Sequence, residues 1–226
     1  MGKRWTADLA LITVFLLLMG YSLIGEEVHE WLGVAMLFLL IFHHAANMLW
    51  YRNLKRGRYT PYRCAQTALT GLLLFAALGA ILSGLALSQY VLDFLPLRGS
   101  GELARSVHLP CACWAFLLMS LHLGLHWGAV MGMARRIAGL RVPSKRRTAV
   151  LRLLAAAVSC YGFYAFFHSG LPDYLLLRSH FVLFPPDLTV TRFLVDYAAI
   201  MGLFLAIAHY GGIFLRRWSA GSTASK

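Results

Sequence analysis

Apolar positions along the chain fall into six long blocks that contain no Asp, Glu, Lys or Arg: residues 9–25, 31–51, 64–92, 106–134, 153–172 and 197–215. The blocks are 17, 21, 29, 29, 20 and 19 residues long. An α-helix rises about 1.5 Å per residue, so about 20 predominantly apolar residues cross the hydrocarbon of a bilayer. Each block meets or nearly meets that length, and together they predict an all-α integral membrane protein of six transmembrane helices. No small-residue cleavage site closes the first block, which ends in Tyr21-Ser22-Leu23-Ile24-Gly25 before Glu26 and Glu27, so it reads as a retained helix and not as a signal peptide. Between the fifth and sixth blocks, residues 169–192 carry Pro172, Pro185 and Pro186 and leave room for a short interfacial helix but not for a domain.

Composition agrees with the pattern. Of 226 residues, 59% are hydrophobic and 13% charged, about half the charged fraction of a water-soluble domain. Disorder, coiled coil and an ordinary soluble enzyme are excluded. The net charge of +12 would suggest nucleic acid in a soluble protein, but here the basic residues follow the spans. Lys3 and Arg4, the five of residues 52–63, the seven of residues 135–152, and Arg216, Arg217 and Lys226 put 17 of the 21 Lys and Arg on one side. Only Arg98, Arg105, Arg178 and Arg192 fall on the other. The positive-inside rule then places both termini in the cytoplasm, with anionic lipid and not nucleic acid as the partner of the basic loops.

Nine histidines in so apolar a chain change the picture from topology to chemistry. Span two, which takes in the residues just before block two, carries His29, His43 and His44, and span four carries His108, His122 and His126. His29 to His43 and His108 to His122 are both 14 residues, about 21 Å along a helix. Fourteen residues return to the same seam in a left-handed bundle. Spans two and four run in the same direction, so His29 matches His108 in depth at the outer end and His43 matches His122 at the inner end. Two bis-imidazole pairs stacked across the bilayer suit two six-coordinate haems held between facing helices. His44 neighbours His43, and His126 shares a face with His122, so either is an alternative inner ligand. Zinc fits less well, because neither depth offers four ligands. Cys111-Ala-Cys113 alone is a weak metal signal.

This spacing, together with the segment VHEWLGVAMLFLLIFHHAANMLWYR, resembles the di-haem b-type cytochromes built on a four-helix bundle. Cytochrome b of the bc complexes and the membrane anchors of hydrogenases and formate dehydrogenases are of this kind, as is a bacterial family of short cytochrome-b-like respiratory membrane proteins. The resemblance covers spans one to four, about residues 9–135. It implies a haem-binding bundle over residues 1–135, with a basic loop and two appended helices over 136–226. It also implies haem b ligation by His29 and His108 and by His43 and His122, in a bacterial inner membrane. The bc quinone-site motif is not visible, and spans five and six match no pattern of that family.

The expected function is an electron-transfer subunit of a quinol-linked oxidoreductase, and not a stand-alone enzyme. It would carry electrons between the quinone pool and a separate extracytoplasmic redox protein. Glu26, Glu27 and Glu30 beside His29, with Arg105 near His108, are the candidates for quinol contact and proton uptake. Two other readings remain open: transmembrane reduction of an extracytoplasmic acceptor such as ferric iron, and a haem-free proton-coupled transporter using the histidines as a relay. His168, His180 and His209 fit packing roles better than ligation.

Overall fold

A computed structural model of the chain describes residues 2–92, 101–140, 142–179, 185 and 187–224. Arg98, Arg141 and Lys226, assigned above to one or other side of a membrane, and His180, given a packing role, lie outside the described residues. Every regular element among those described is helical: α1 (Gly2–Leu18), α2 (Tyr21–Ile24), α3 (Glu26–Ala46), α4 (Met48–Asn53), α5 (Pro61–Leu87), α6 (Gly101–Ile137), α7 (Lys145–His168), α8 (Leu171–Leu175) and α9 (Val190–Ala224). Five of them, α3, α5, α6, α7 and α9, are long and apolar enough to cross a membrane. With 17 residues, α1 is shorter than these.

The apolar blocks locate the helices but not their ends. The first block does not form one helix. Its helix starts earlier, at Gly2, and stops at Leu18, after which the chain turns through Met19 and Gly20 into the single turn of α2. Gly25, at φ 84°, then reverses the path into α3, a conformation that favours glycine. Glu26 and Glu27 fill the first turn of α3, where carboxylates complement the exposed N–H groups. The second block is cut at Asn47. Its N–H bonds the carbonyls of His43 and His44 at 3.1 Å each, and its Nδ2 donates to His43 O at 2.8 Å. At α7 the displacement has a polar cause. Ser144 caps the helix, its Oγ accepting from the Arg147 N–H at 3.3 Å, so two basic turns precede the apolar stretch. α8 is the short helix expected between the last two spans.

The chain forms two compact units. One comprises residues 1–58, 75–114 and 173–194, the other residues 59–74, 115–172 and 195–226. In the first, α1 packs along α3, and α6 closes onto α5 where glycine leaves room. A Cβ on Gly79 would lie 2.7 Å from Cys111 Sγ. Met36, Ala76, Ser83, Ala104 and Cys113 are buried there, and Trp114 Nε1 donates to the Leu175 carbonyl at 3.2 Å. In the second unit, the backbones of α6 and α7 approach that of α9 closely at Gly124 and Gly162. A Cβ on either would strike the carbonyls of Leu205 and Ala199 respectively. Small residues at helix crossings are the usual packing device in membranes. Phe116, Ser120 and Ile200 are fully buried at these contacts. Outward-facing apolar side chains such as Phe75 (76% exposed) and Leu153 (71%) suit lipid and not water.

Candidate functional site

His29 and His108 come together within the first unit. Their rings lie 6.1 Å apart, centroid to centroid, at an interplanar angle of 73°. His29 closes the first turn of α3, its N–H bonded to the Gly25 carbonyl at 3.0 Å. His108 sits two residues before Pro110 in α6 and is seated on α5. Its Nδ1 is 2.8 Å from the Ala80 carbonyl and 3.3 Å from Ser83 Oγ. A carbonyl only accepts, so His108 carries its proton on Nδ1 and presents a lone pair on Nε2. Gly84 makes the seat possible, since a Cβ there would lie 3.1 Å from His108 Cε1 and 3.3 Å from its Nδ1. His29 Nδ1 is buried without a hydrogen bond, with the Leu18 backbone close to the ring. The Tyr21 ring stands edge-on to His29 at 5.2 Å.

The remaining candidate histidines are each tied to a side chain. His43 Nδ1 lies 2.8 Å from Asp8 Oδ1 of α1. His44 Nδ1 pairs with the Tyr51 hydroxyl at 2.5 Å. In the second unit, His122 Nδ1 is 3.3 Å from Thr70 Oγ1. That hydroxyl donates to the Gln66 carbonyl at 2.9 Å, so toward His122 it accepts. His43 beside a carboxylate and His122 beside an accepting hydroxyl therefore hold the same tautomer as His108, with Nε2 facing away from the partner. His126 differs, because its Nε2 is the nitrogen engaged, 3.1 Å from the Gln66 amide nitrogen. Its ring lies 4.7 Å from that of His122. His43 and His44 belong to the first unit and His122 and His126 to the second.

The acidic candidates divide. Tyr21 donates to Glu26 Oε1 at 2.5 Å, and burial together with that carboxylate pushes the Tyr21 phenol, which lies beyond α1, up to about 12. Glu30 is fully occupied. It accepts from Ser88 Oγ at 2.6 Å and from the N–H groups of Gln89, Tyr90 and Val91 at 2.7, 3.0 and 3.0 Å. It thereby holds the turn that follows α5 against the start of α3. Glu27 and Arg105 are exposed. His168 stacks on Tyr164 at 3.9 Å, and His209 stands edge-on to Tyr210 at 5.2 Å. Among the described residues no three His, Cys, Asp or Glu side chains converge as a metal cluster.

A haem needs two opposed imidazoles, not a cluster. With metal–imidazole nitrogen bonds of about 2.0 Å and about 1.1 Å from nitrogen to ring centre, two axial rings have centroids roughly 6 Å apart. His29 and His108 meet that spacing. Ligating histidines normally donate their other N–H to a carbonyl or carboxylate, as His108 and His43 do. The ring spacing at this end is therefore one that a bis-imidazole haem would take. Asp8, Ala80, Ser83, Thr70 and Gln66 were not singled out by sequence. The one available signal was Asp8, the sole acid in the otherwise apolar residues 5–18. No family model, curated protein or solved structure matches the chain.

Proposed function

We infer that the chain is a membrane cytochrome b subunit with two bis-histidine haems, one between His29 and His108 and one between His43 and His122. It carries electrons between the quinone pool and an extracytoplasmic redox protein. The observation that carries this reading is the His29–His108 pair, its ring centroids 6.1 Å apart, with His108 carrying its proton on Nδ1 toward the Ala80 carbonyl. Bound by these histidines, a haem would supply one-electron transfer. The protein contributes orientation. Ala80 and Ser83 aim His108, Gly84 gives its ring space, and Asn47 ends α3 directly behind His43 and His44. The second pair rests on the equal 14-residue spacing and on the shared tautomer of His43 and His122.

In this reading α1 is a sixth span, and the basic segments face the cytoplasm of a bacterial inner membrane. A quinol at the His29 end would meet the Tyr21–Glu26 pair, whose carboxylate is the base best placed to take its proton; Glu30 is committed to the turn after α5. The deciding measurement is a reduced-minus-oxidised absorption spectrum of the purified chain from haem-supplied cells, with extracted haem quantified against protein. A b-type spectrum at two haems per chain is expected. A colourless protein would end the cytochrome reading in favour of a proton-coupled transporter.

A further inference from the structure

The second unit carries a charge excess that its own residues do not balance. By sequence, residues 59–74, 115–172 and 195–226 hold eleven Lys and Arg but a single acid, Asp196. Tyr161 of α7 donates its hydroxyl to that carboxylate at 2.5 Å. Tyr161 lies nine residues beyond Arg152 and 16 beyond Lys145, which is about 13.5 and 24 Å along the helix. Asp196 is therefore too far along α7 to pair with the basic turns at its start.

Several cations of the unit are engaged within the chain. Arg147 donates from Nη2 to the Val142 carbonyl at 2.8 Å. Arg63 lies over the Tyr59 ring at 4.5 Å and Arg216 over the Tyr62 ring at 4.4 Å. Lys145 and Arg152 instead line a cleft of about 410 Å³ with Pro143, Ser144, Thr148 and Ala149. Lys145, Thr148, Ala149 and Arg152 stand at i, i+3, i+4 and i+7, which is one face of a helix. Two exposed cations thus bracket two short side chains, and among the described residues neither pairs with a carboxylate. Ser144 covers the Arg147 N–H, so the cleft attracts an anion through its side chains and not through the helix end.

Directly beyond the cleft the helix becomes apolar, and Leu151, Leu153 and Leu154 are exposed. A ligand seated there meets cations at one end and a hydrocarbon-facing surface at the other. That combination matches a lipid and not a free phosphate. We propose that this cleft binds the headgroup of an anionic phospholipid, with the phosphate between Lys145 and Arg152 and the acyl chains along the leucines. The inference is independent of the haem reading. It also separates one site from the general attraction of basic loops for acidic lipid. Arg52, Lys55, Arg56 and Arg58 are a comparable set of cations, but three of them lie beyond the end of the six-residue α4 and share no helix face.

Amine labelling of the full chain in detergent, read peptide by peptide, tests the site, because Lys145 and Lys55 report separately. Added phosphatidylglycerol should slow the labelling of Lys145 about fivefold or more and leave Lys55 near its original rate. Phosphatidylcholine and glycerol phosphate should change neither. Arg152→Gln removes one cation, and Ala149→Glu sets a carboxylate between the two; each should abolish the protection of Lys145. Both positions are exposed, and should one variant fail to fold, the other decides. Equal protection of Lys145 by phosphatidylcholine would make the cleft an ordinary lipid contact, and equal protection by glycerol phosphate would make it a phosphate site. Equal protection of Lys55 would reduce the effect to general attraction by basic loops. Any of these results overturns the proposal, as does protection that survives both substitutions.

Discussion

The histidines at the start of α3 and α6 are held differently from those 14 residues further along, although the two sets are spaced identically in the chain. His108 is seated by backbone and by missing volume, on the Ala80 carbonyl and in the notch at Gly84. His29 is held by burial alone on its Nδ1 side. The later histidines are held by side chains: His43 by Asp8, His44 by Tyr51, His122 by Thr70 and His126 by Gln66. Identical spacing therefore hides two ways of fixing an imidazole. One is sensitive to changes of volume, the other to the loss of a polar partner.

The largest effect comes from removing a ligand at the packed end. His108→Ala deletes one of the two paired rings and leaves no neighbouring histidine on α6 nearer than His122, about 21 Å away along the helix. The haem-to-protein ratio should fall from two to one, with the remaining haem spectrally unchanged. A ratio that stays at two would show that the His29–His108 pair binds no haem and that its 6.1 Å spacing is ordinary packing.

A volume change at the same end ranks next. In Gly84→Val the added Cβ would approach His108 Cε1 to 3.1 Å, and the branched methyls have no space beyond it. Overpacking of this kind typically costs about 1–3 kcal/mol. It should tilt the ring off the Ala80 carbonyl, so that haem content falls below two and the thermal midpoint drops. Gly33→Ala is the matched control, because its Cβ meets nothing within 4 Å and should change stability by no more than about 0.5 kcal/mol. Equal behaviour of the two variants would erase the distinction between the notch at Gly84 and open space at Gly33.

Sequence made five long apolar helices and the nearness of His29 to His108 legible, because apolar blocks and residue intervals are periodic properties of a single helix. A charge-free block reports the thickness of hydrocarbon, and a 14-residue interval reports a helix face. Neither reports where a helix begins. Basic turns extend α7 back to Lys145, and Asn47 and Gly25 cut helices inside or beside the blocks for local hydrogen-bonding and φ reasons. The partners that fix each imidazole were not legible, since they come from packing between helices far apart in the chain. Ala80 lies 28 residues before His108, and Asp8 lies 35 before His43. Glu30 shows the same limit. Beside His29 it reads as a proton acceptor, yet its oxygens are taken by a turn about 60 residues away. The glycines sort only once their neighbours are known, with Gly79, Gly84 and Gly124 as packing notches and Gly33 and Gly71 open.

The smallest expected effect tests the polar end, at the residue that competes with His122. Gln66 engages His126 through Nε2, the nitrogen that an iron ligand on this seam would have to offer. While that bond stands, His126 is directed at Gln66 and His122 is the member of the pair with its Nε2 turned away from its partner. Removing one neutral hydrogen bond at an exposed side chain costs about 0.5–1.5 kcal/mol, and His126 is exposed. Gln66→Ala and His126→Ala should therefore each keep two haems per chain, with only a small drop in thermal midpoint. His122→Ala should keep one. The contrast reverses if the ligand is His126: its alanine variant then loses a haem while His122→Ala keeps both, and the hydrogen bond to Gln66 must break for iron to bind. In that case side-chain partners at the polar end do not mark the ligands, and the shared tautomer of His43 and His122 has another cause.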